Sequence, residues 1–304
     1  MMHRVEAKIG GKNLILETGR MARQSDGAVL VQYGDTVVLV TVVAAKGAKD
    51  VDFLPLTVDY QEKAFAAGKI PGGFFKREGR LGEKEILSSR LIDRPLRPLM
   101  PTNWFFETQI IASVLSSDQG SVSDILSIVG ASSAISVSDI PFNGPVGAVR
   151  VGRVDGVLLI NPALDMLEKS DMDIVVVGTA DAVMMVESGS NELSEEVVLE
   201  AIQFGHDVVR QVIELQSALR EKAGKEKREV PTVKRNAVLA AAVDAELSAQ
   251  IRGAVFIPNK SDRQAELNRI LSQKVSGVDS ADTTQINEIK TIFHDGIHQP
   301  SNFS

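Results

Sequence analysis

The run Ala28-Val29-Leu30-Val31-Gln32-Tyr33-Gly34-Asp35-Thr36-Val37-Val38-Leu39-Val40-Thr41-Val42-Val43 is rich in β-branched side chains and is interrupted only at Gly34-Asp35. Such a pattern predicts two strands joined by a two-residue hairpin turn. The second strand shows little alternation of polar and apolar residues, as expected of a strand buried on both faces. The same punctuation recurs on either side. Residues 5–9 and 13–17 flank Gly10-Gly11, and residues 146–152 and 157–160 flank Asp155-Gly156. With a further strand over 53–60, the first 60 residues read as a β-meander, and strands are also expected over 109–115, 174–177 and 183–187.

Between these strands the periodicity turns helical. A helix is predicted over 83–93, with Glu83 and Glu85 suited to its N-terminal dipole and Pro95 expected to stop it. Small residues over 124–136 predict a second helix able to pack closely on a sheet. A long amphipathic helix begins near Ser194, carries Val198, Ile202, Val209, Val212 and Ile213 on one stripe, and ends at Gly224. From 221 to 235 the composition becomes polar and mainly basic, with Pro231, and reads as a linker. Residues 236–252 and 264–275 have helical periodicity and no strand signal. The expected organisation is an α+β domain over 1–220, a linker over 221–235 and a small all-α domain over 236–304.

The 304 residues are 44% hydrophobic and 24% charged, which suits soluble globular domains rather than disorder. No segment approaches the roughly 18 apolar residues that cross a bilayer, so no membrane is expected and the chain is placed in the cytoplasm. Without cysteine there are no disulfides, thiolate metal sites or cysteine nucleophiles, and the four histidines show no zinc spacing. The net charge of −7 excludes a protein coated in basic surface. Residues 63–97 nevertheless carry nine Lys or Arg against four acids, a local +5 that leaves −12 to the remainder. That asymmetry suits one surface meeting a polyanion, or a merely solvated loop and helix.

Two constellations could carry chemistry. Phe74-Phe75-Lys76-Arg77-Glu78-Gly79-Arg80 follows Pro71-Gly72-Gly73. Aromatic rings exposed beside cations would stack bases while Lys and Arg hold phosphates; rings turned inward would instead anchor the loop. In the second, Arg90 and Arg94 share a helix face and Arg97 lies just beyond, among Pro95 and Pro98. Three guanidiniums so placed could converge on phosphate, or cap the helix with Asp93 paired to an arginine. Asp171 and Asp173 form an Asp-x-Asp pair open to Mg²⁺ binding or to simple solvation at a strand entrance. No phosphate loop, dinucleotide fingerprint or Gly-x-Ser-x-Gly elbow occurs.

Read with their surroundings, these segments resemble polynucleotide phosphorylase. The resemblance rests on Leu16-Glu17-Thr18-Gly19-Arg20-Met21-Ala22-Arg23-Gln24, Pro55-Leu56-Thr57-Val58-Asp59-Tyr60-Gln61-Glu62, residues 67–80 and 90–99, Ile140-Pro141-Phe142-Asn143-Gly144-Pro145, Met185-Val186-Glu187-Ser188 and Phe204-Gly205-His206, and covers about residues 4–290. It implies a ribonuclease-PH-like core domain, of the ribosomal protein S5 domain 2-like β/α fold, followed by a helical domain. It further implies a homotrimeric ring around a channel for single-stranded RNA. Phe74, Phe75, Lys76, Arg77 and Arg80 inherit an RNA-binding role at the channel constriction, and Arg90, Arg94 and Arg97 inherit RNA or phosphate contacts near the active site. The family reaction is 3′-to-5′ phosphorolysis, in which inorganic phosphate attacks the terminal phosphodiester and a nucleoside diphosphate leaves. Mg²⁺ and the catalytic groups are expected from a second core domain, which is not found in this sequence. No catalytic or metal-ligating residue is therefore assigned here. Residues 294–304 depart from the family pattern, as a truncated or split gene would give. The expected roles are part of an exoribonuclease acting in mRNA degradation, as a fragment or as a split subunit completed by a second-core chain, or a non-catalytic RNA-binding or ring-scaffold protein. A small-molecule phosphotransferase on a related fold is the third.

Overall fold

Three hairpin turns organise the strands. Gly10 and Gly11 have φ of 54° and 88°, Asp155 and Gly156 of 51° and 79°, and Gly34 of 61°. Each pair closes a tight antiparallel register, Ile9 on Lys12, Tyr33 on Thr36 and Val154 on Val157. The computed structural model describes residues 1–304 except 52, 75, 119–122, 232–235, 280–281 and 299–304. They form two units, Met1–Pro231 and Thr232–Ser304. No helix among the described residues is long and apolar enough to cross a membrane.

The first unit holds two sheets. β1 (His3–Ile9), β2 (Lys12–Thr18), β3 (Gly27–Tyr33) and β4 (Thr36–Ala48) form the expected meander. β5 (Leu56–Glu62) then crosses over through helix α1 (Glu83–Leu96) to lie parallel to β6 (Phe106–Ser116), giving the order β1-β2-β3-β4-β6-β5. In the second sheet β7 (Gly147–Val154) pairs with β8 (Val157–Ile160) and with β9 (Met172–Gly178), and β10 (Val183–Ser190) forms the outer edge beyond β9. A short helix α3 (Leu164–Leu167) joins β8 to β9.

The helices bury one face of these sheets. α2 (Ser123–Val137) is buried along nearly its whole length against β3 and β4. A Cβ on Gly130 would lie 2.5 Å from Val40 Cγ2 and 2.9 Å from Val31 Cγ2, so glycine is what lets this helix approach. α4 (Glu195–Ala223) packs on β1, β7 and β9. Val38, Val40 and Val42 are fully buried, whereas Val43 is 47% exposed. β4 is thus buried on one face rather than both: its poor alternation reflects apolar residues retained on the half-buried side.

Two further expectations are corrected. Helix α1 continues through Pro95 to Leu96, and the 3₁₀ turn Arg97–Leu99 follows it. A proline this near the helix end forfeits one backbone bond, and the next turn is retained through Arg97 N–H donating to Asp93 O. Ahead of the cationic loop the chain makes a 3₁₀ turn, Ala64–Ala67, closed by Gly68 at φ 67°. The basic stretch read as a linker over 221–235 is, up to residue 230, a strap on the first unit. Lys227 Nζ donates to the carbonyls of Ile135, Ser136 and Ser138 at 2.8, 3.1 and 2.8 Å, capping the C-terminus of α2. Arg228 grips Asp139 at 2.8 Å and Asp26 at 3.0 Å.

The regular elements among the described residues of the second unit are all helices: α5 (Ala237–Val255), α6 (Lys260–Ser276) and α7 (Thr283–His298). It has a small core of its own around Val243, Leu247, Ile251, Leu267, Ile270, Ile289 and Phe293. Asn236 and Asn259 cap α5 and α6 through their side-chain oxygens.

Candidate nucleic-acid interface

The loop between β5 and α1 emerges from the sheet edge. Phe74 within it is 93% exposed. Gly73 (φ 79°) and Lys76 (φ 50°) both adopt left-handed backbone, which throws the segment outward rather than onto the core. Phe75 lies outside the described residues. Lys69, Lys76, Arg77 and Arg80 are exposed, and none makes an ion pair with a described residue. Glu78 points back instead: its Oε1 accepts the Ala64 N–H at 3.0 Å, which holds its carboxyl below the usual carboxylate range. The loop therefore presents cations and an aromatic ring to solvent while its one acid is engaged at its root.

The arginine cluster divides. Arg97 is consumed by structure: its Nε and Nη2 donate to Asp93 at 2.9 and 2.7 Å, and Nη1 and Nη2 reach the carbonyls of Leu54 and Leu56. Here the helix-capping alternative holds. Arg94 lies 3.8 Å from Glu187, with both side chains exposed, a weak pair easily exchanged for another anion. Arg90 is exposed on the same helix. Arg90 and Arg94 thus remain available beside the loop, and Arg97 does not.

Below α1 opens a cleft of about 600 Å³, lined among others by Lys84, Leu87, Asp124, Arg150, Asp173 and Glu187. Its centre is an internal ion-pair triad. Arg150 Nη1 meets both Asp173 oxygens at 2.8 and 2.6 Å, and Nη2 meets Asp124 at 2.9 Å. Asp171 pairs separately with Arg153 at 2.8 Å. Asp173 lies on β9 and Asp171 just ahead of its first residue, and each carboxylate is engaged by a different arginine, so the Asp-x-Asp pair does not fit a Mg²⁺ ion. Among the described residues no group of three or more His, Asp or Glu is arranged to hold a metal.

Fold and loop together define an α+β module that turns a cationic, aromatic loop to solvent. Residues 10–141 match the 3′ exoribonuclease family, domain 1, and residues 144–208 match its domain 2. The chain belongs to the 3′ exoribonuclease family, and the relatives it matches at about half identity are polyribonucleotide nucleotidyltransferases. That of Heliobacterium modesticaldum is 51% identical over 272 residues, covering 89% of this chain and 38% of the relative. That of Geobacter sulfurreducens is 52% identical over 272 residues, covering 89% and 39%. The chain thus spans about two-fifths of the length of these relatives. The crystal structure of rice (Oryza sativa) Rrp46 has a TM-score of 0.55 at 14% identity over 72% of this chain and 94% of that one, a likeness of fold alone.

Proposed function

We propose that this chain is the RNA-gripping portion of a phosphorolytic 3′-to-5′ exoribonuclease, a polyribonucleotide nucleotidyltransferase acting in mRNA degradation in the cytoplasm. The observation that carries the reading is the loop: Phe74 fully outward, with Lys76, Arg77 and Arg80 exposed around it. Single-stranded RNA suits such a surface because any base can stack on a ring while the backbone tracks the cations. Arg90 and Arg94 extend the track along α1. The proposed ring is a homotrimer, or an assembly with a chain bearing a second core, so that several loops surround one strand. Inorganic phosphate and nucleoside diphosphates are the other reactants. Mg²⁺ and the groups that ligate it are assigned to the part of the relatives that this chain does not span, because Asp124, Asp171 and Asp173 are each committed to an arginine.

Two measurements test this. Changing Lys76, Arg77 and Arg80 together to Ala is expected to weaken binding of single-stranded RNA and to flatten its log–log salt dependence by about 2, since three fewer phosphates are neutralised at roughly 0.7 counterions each. Unchanged affinity and slope would remove the loop from the interface. Supplied with RNA, phosphate and Mg²⁺, the purified chain alone is expected to bind but to release no nucleoside diphosphate. Phosphate-dependent release by this chain would show that the cleft is catalytic after all.

A further inference from the structure

The turn that precedes the loop carries an aromatic ring that neither charge nor motif brings forward. Phe65 sits in the 3₁₀ turn Ala64–Ala67 and is 58% exposed, although an unpaired Phe favours burial. The turn beneath it is fixed. Ala66 is buried, Ser117 N–H donates to Ala66 O at 2.9 Å, and Gly68 and Lys69 N–H close back onto Phe65 O and Ala64 O at 2.9 and 3.0 Å. The ring is therefore held outward by a rigid base rather than by a loose loop. The same turn is bound to the cationic segment, because Glu78 accepts the N–H of Ala64, the residue before Phe65. Ile70, 78% exposed, lies on the chain between the two.

We propose that Phe65 is a second base-stacking surface of the RNA interface, and that Glu78 is a positioning residue that holds Phe65 and the Lys76 to Arg80 segment as one body. This rests on the RNA reading of the loop and adds residues to it. Apolar rings set among exposed Lys69, Lys76, Arg77 and Arg80 suit a polyanion with stackable bases better than a protein partner, whose interface core is depleted of charge. Glu78 is the only acid between residues 63 and 82. Its charge alone would repel phosphates, so electrostatics and positioning predict opposite signs for its removal.

The test is fluorescence anisotropy of a labelled oligoadenylate against the full chain over a range of salt, with thermal melts to verify folding. Phe65→Ala is expected to weaken binding about fivefold or more with the salt slope unchanged, as loss of one stacked base requires. Phe65→Leu, which keeps apolar bulk without the ring, is expected to do the same, and Phe65→Trp to preserve affinity. Glu78→Ala is expected to weaken binding despite removing a negative charge, whereas Glu78→Gln, which can still accept the Ala64 N–H, should bind at least as well as the parent. If the Lys76, Arg77 and Arg80 triple variant binds weakly but both Phe65→Ala and Phe65→Leu bind like the parent, Phe65 has no such role and the loop reading stands. If the triple variant is also indistinguishable from the parent, or the parent does not bind, both readings fall. A change in sedimentation on losing the ring, with RNA affinity intact, would make Phe65 an assembly contact and overturn the proposal. Tighter binding by Glu78→Ala would overturn the positioning role.

Discussion

Two basic segments of this chain look alike as sequence and behave as opposites in the fold. The loop over 68–80 and the strap over 224–230 are both polar, rich in Lys and Arg, and bordered by Gly and Pro. In the loop, Lys76, Arg77 and Arg80 reach solvent and meet no carboxylate among the described residues. In the strap, Lys225 Nζ donates to Asp26 O at 2.6 Å, Lys227 caps α2, and Arg228 holds Asp139, Asp26 and the Ala45 carbonyl. The guanidinium of Arg228 also lies 6.0 Å from the ring centre of fully buried Trp104. The lesson is that a cation's role is set by the acceptors the fold brings to it. A strap satisfied by carbonyls and carboxylates is part of the core's surface, and a loop left unsatisfied is available to a ligand.

The largest expected effect separates the two outright. Arg228→Ala should lower the stability of the first unit by about 2–3 kcal/mol, because it strands Asp139 and Asp26 in a partly buried setting and uncovers Trp104. The triple loop variant should stay within about 0.5 kcal/mol of the parent. Denaturant unfolding of both reads the contrast, and equal losses would erase it. A smaller version of the same contrast lies within α1. Arg97→Ala should cost about 1 kcal/mol through its bonds to Asp93, Leu54 and Leu56, while Arg90→Ala should leave stability unchanged and weaken RNA binding. If Arg97→Ala weakened RNA binding as much as Arg90→Ala at constant stability, the division of the cluster would be wrong.

What was legible in the sequence follows the range of the interaction. The turns at Gly10-Gly11, Gly34-Asp35 and Asp155-Gly156 need only one or two residues tolerant of positive φ, so composition reveals them. Helices α2 and α4 were legible from local composition and periodicity, as were α5 and α6 of the second unit, whereas α7 was not predicted. The fate of Arg97 and of the strap was not legible. Asp26 and Asp139 lie far from Arg228 along the chain, and the Leu54 and Leu56 carbonyls come from the start of β5 and the residues just before it, some forty residues from Arg97. Phe65 was hidden because nothing local distinguishes a Phe among alanines that turns outward from one that turns in.

The smallest expected effect probes the strap through pH. Burial pushes the Lys227 ammonium down to about 8, reinforced by the Arg220 charge and opposed by Asp139. Below pH 8 the amine is protonated in both the folded and the unfolded chain, and it adds nothing to the pH dependence. Between about 8 and the ordinary lysine value of 10.5 the unfolded chain retains a proton that the folded one has released, so folding gains stability as pH rises. That contribution is complete above 10.5 and lost as pH falls through 8. Because Lys227 is only partly buried, solvent screening limits it to about 1 kcal/mol. Other groups titrate in the same window, so the quantity to measure is the stability difference between the parent and Lys227→Met. It should widen in the parent's favour from pH 8 to pH 10, on top of a pH-independent loss of about 1 kcal/mol from the uncapped end of α2. A difference that stayed flat across that window would mean that the three carbonyls hold the ammonium charged, and that Lys227 is as fully satisfied electrostatically as Arg228.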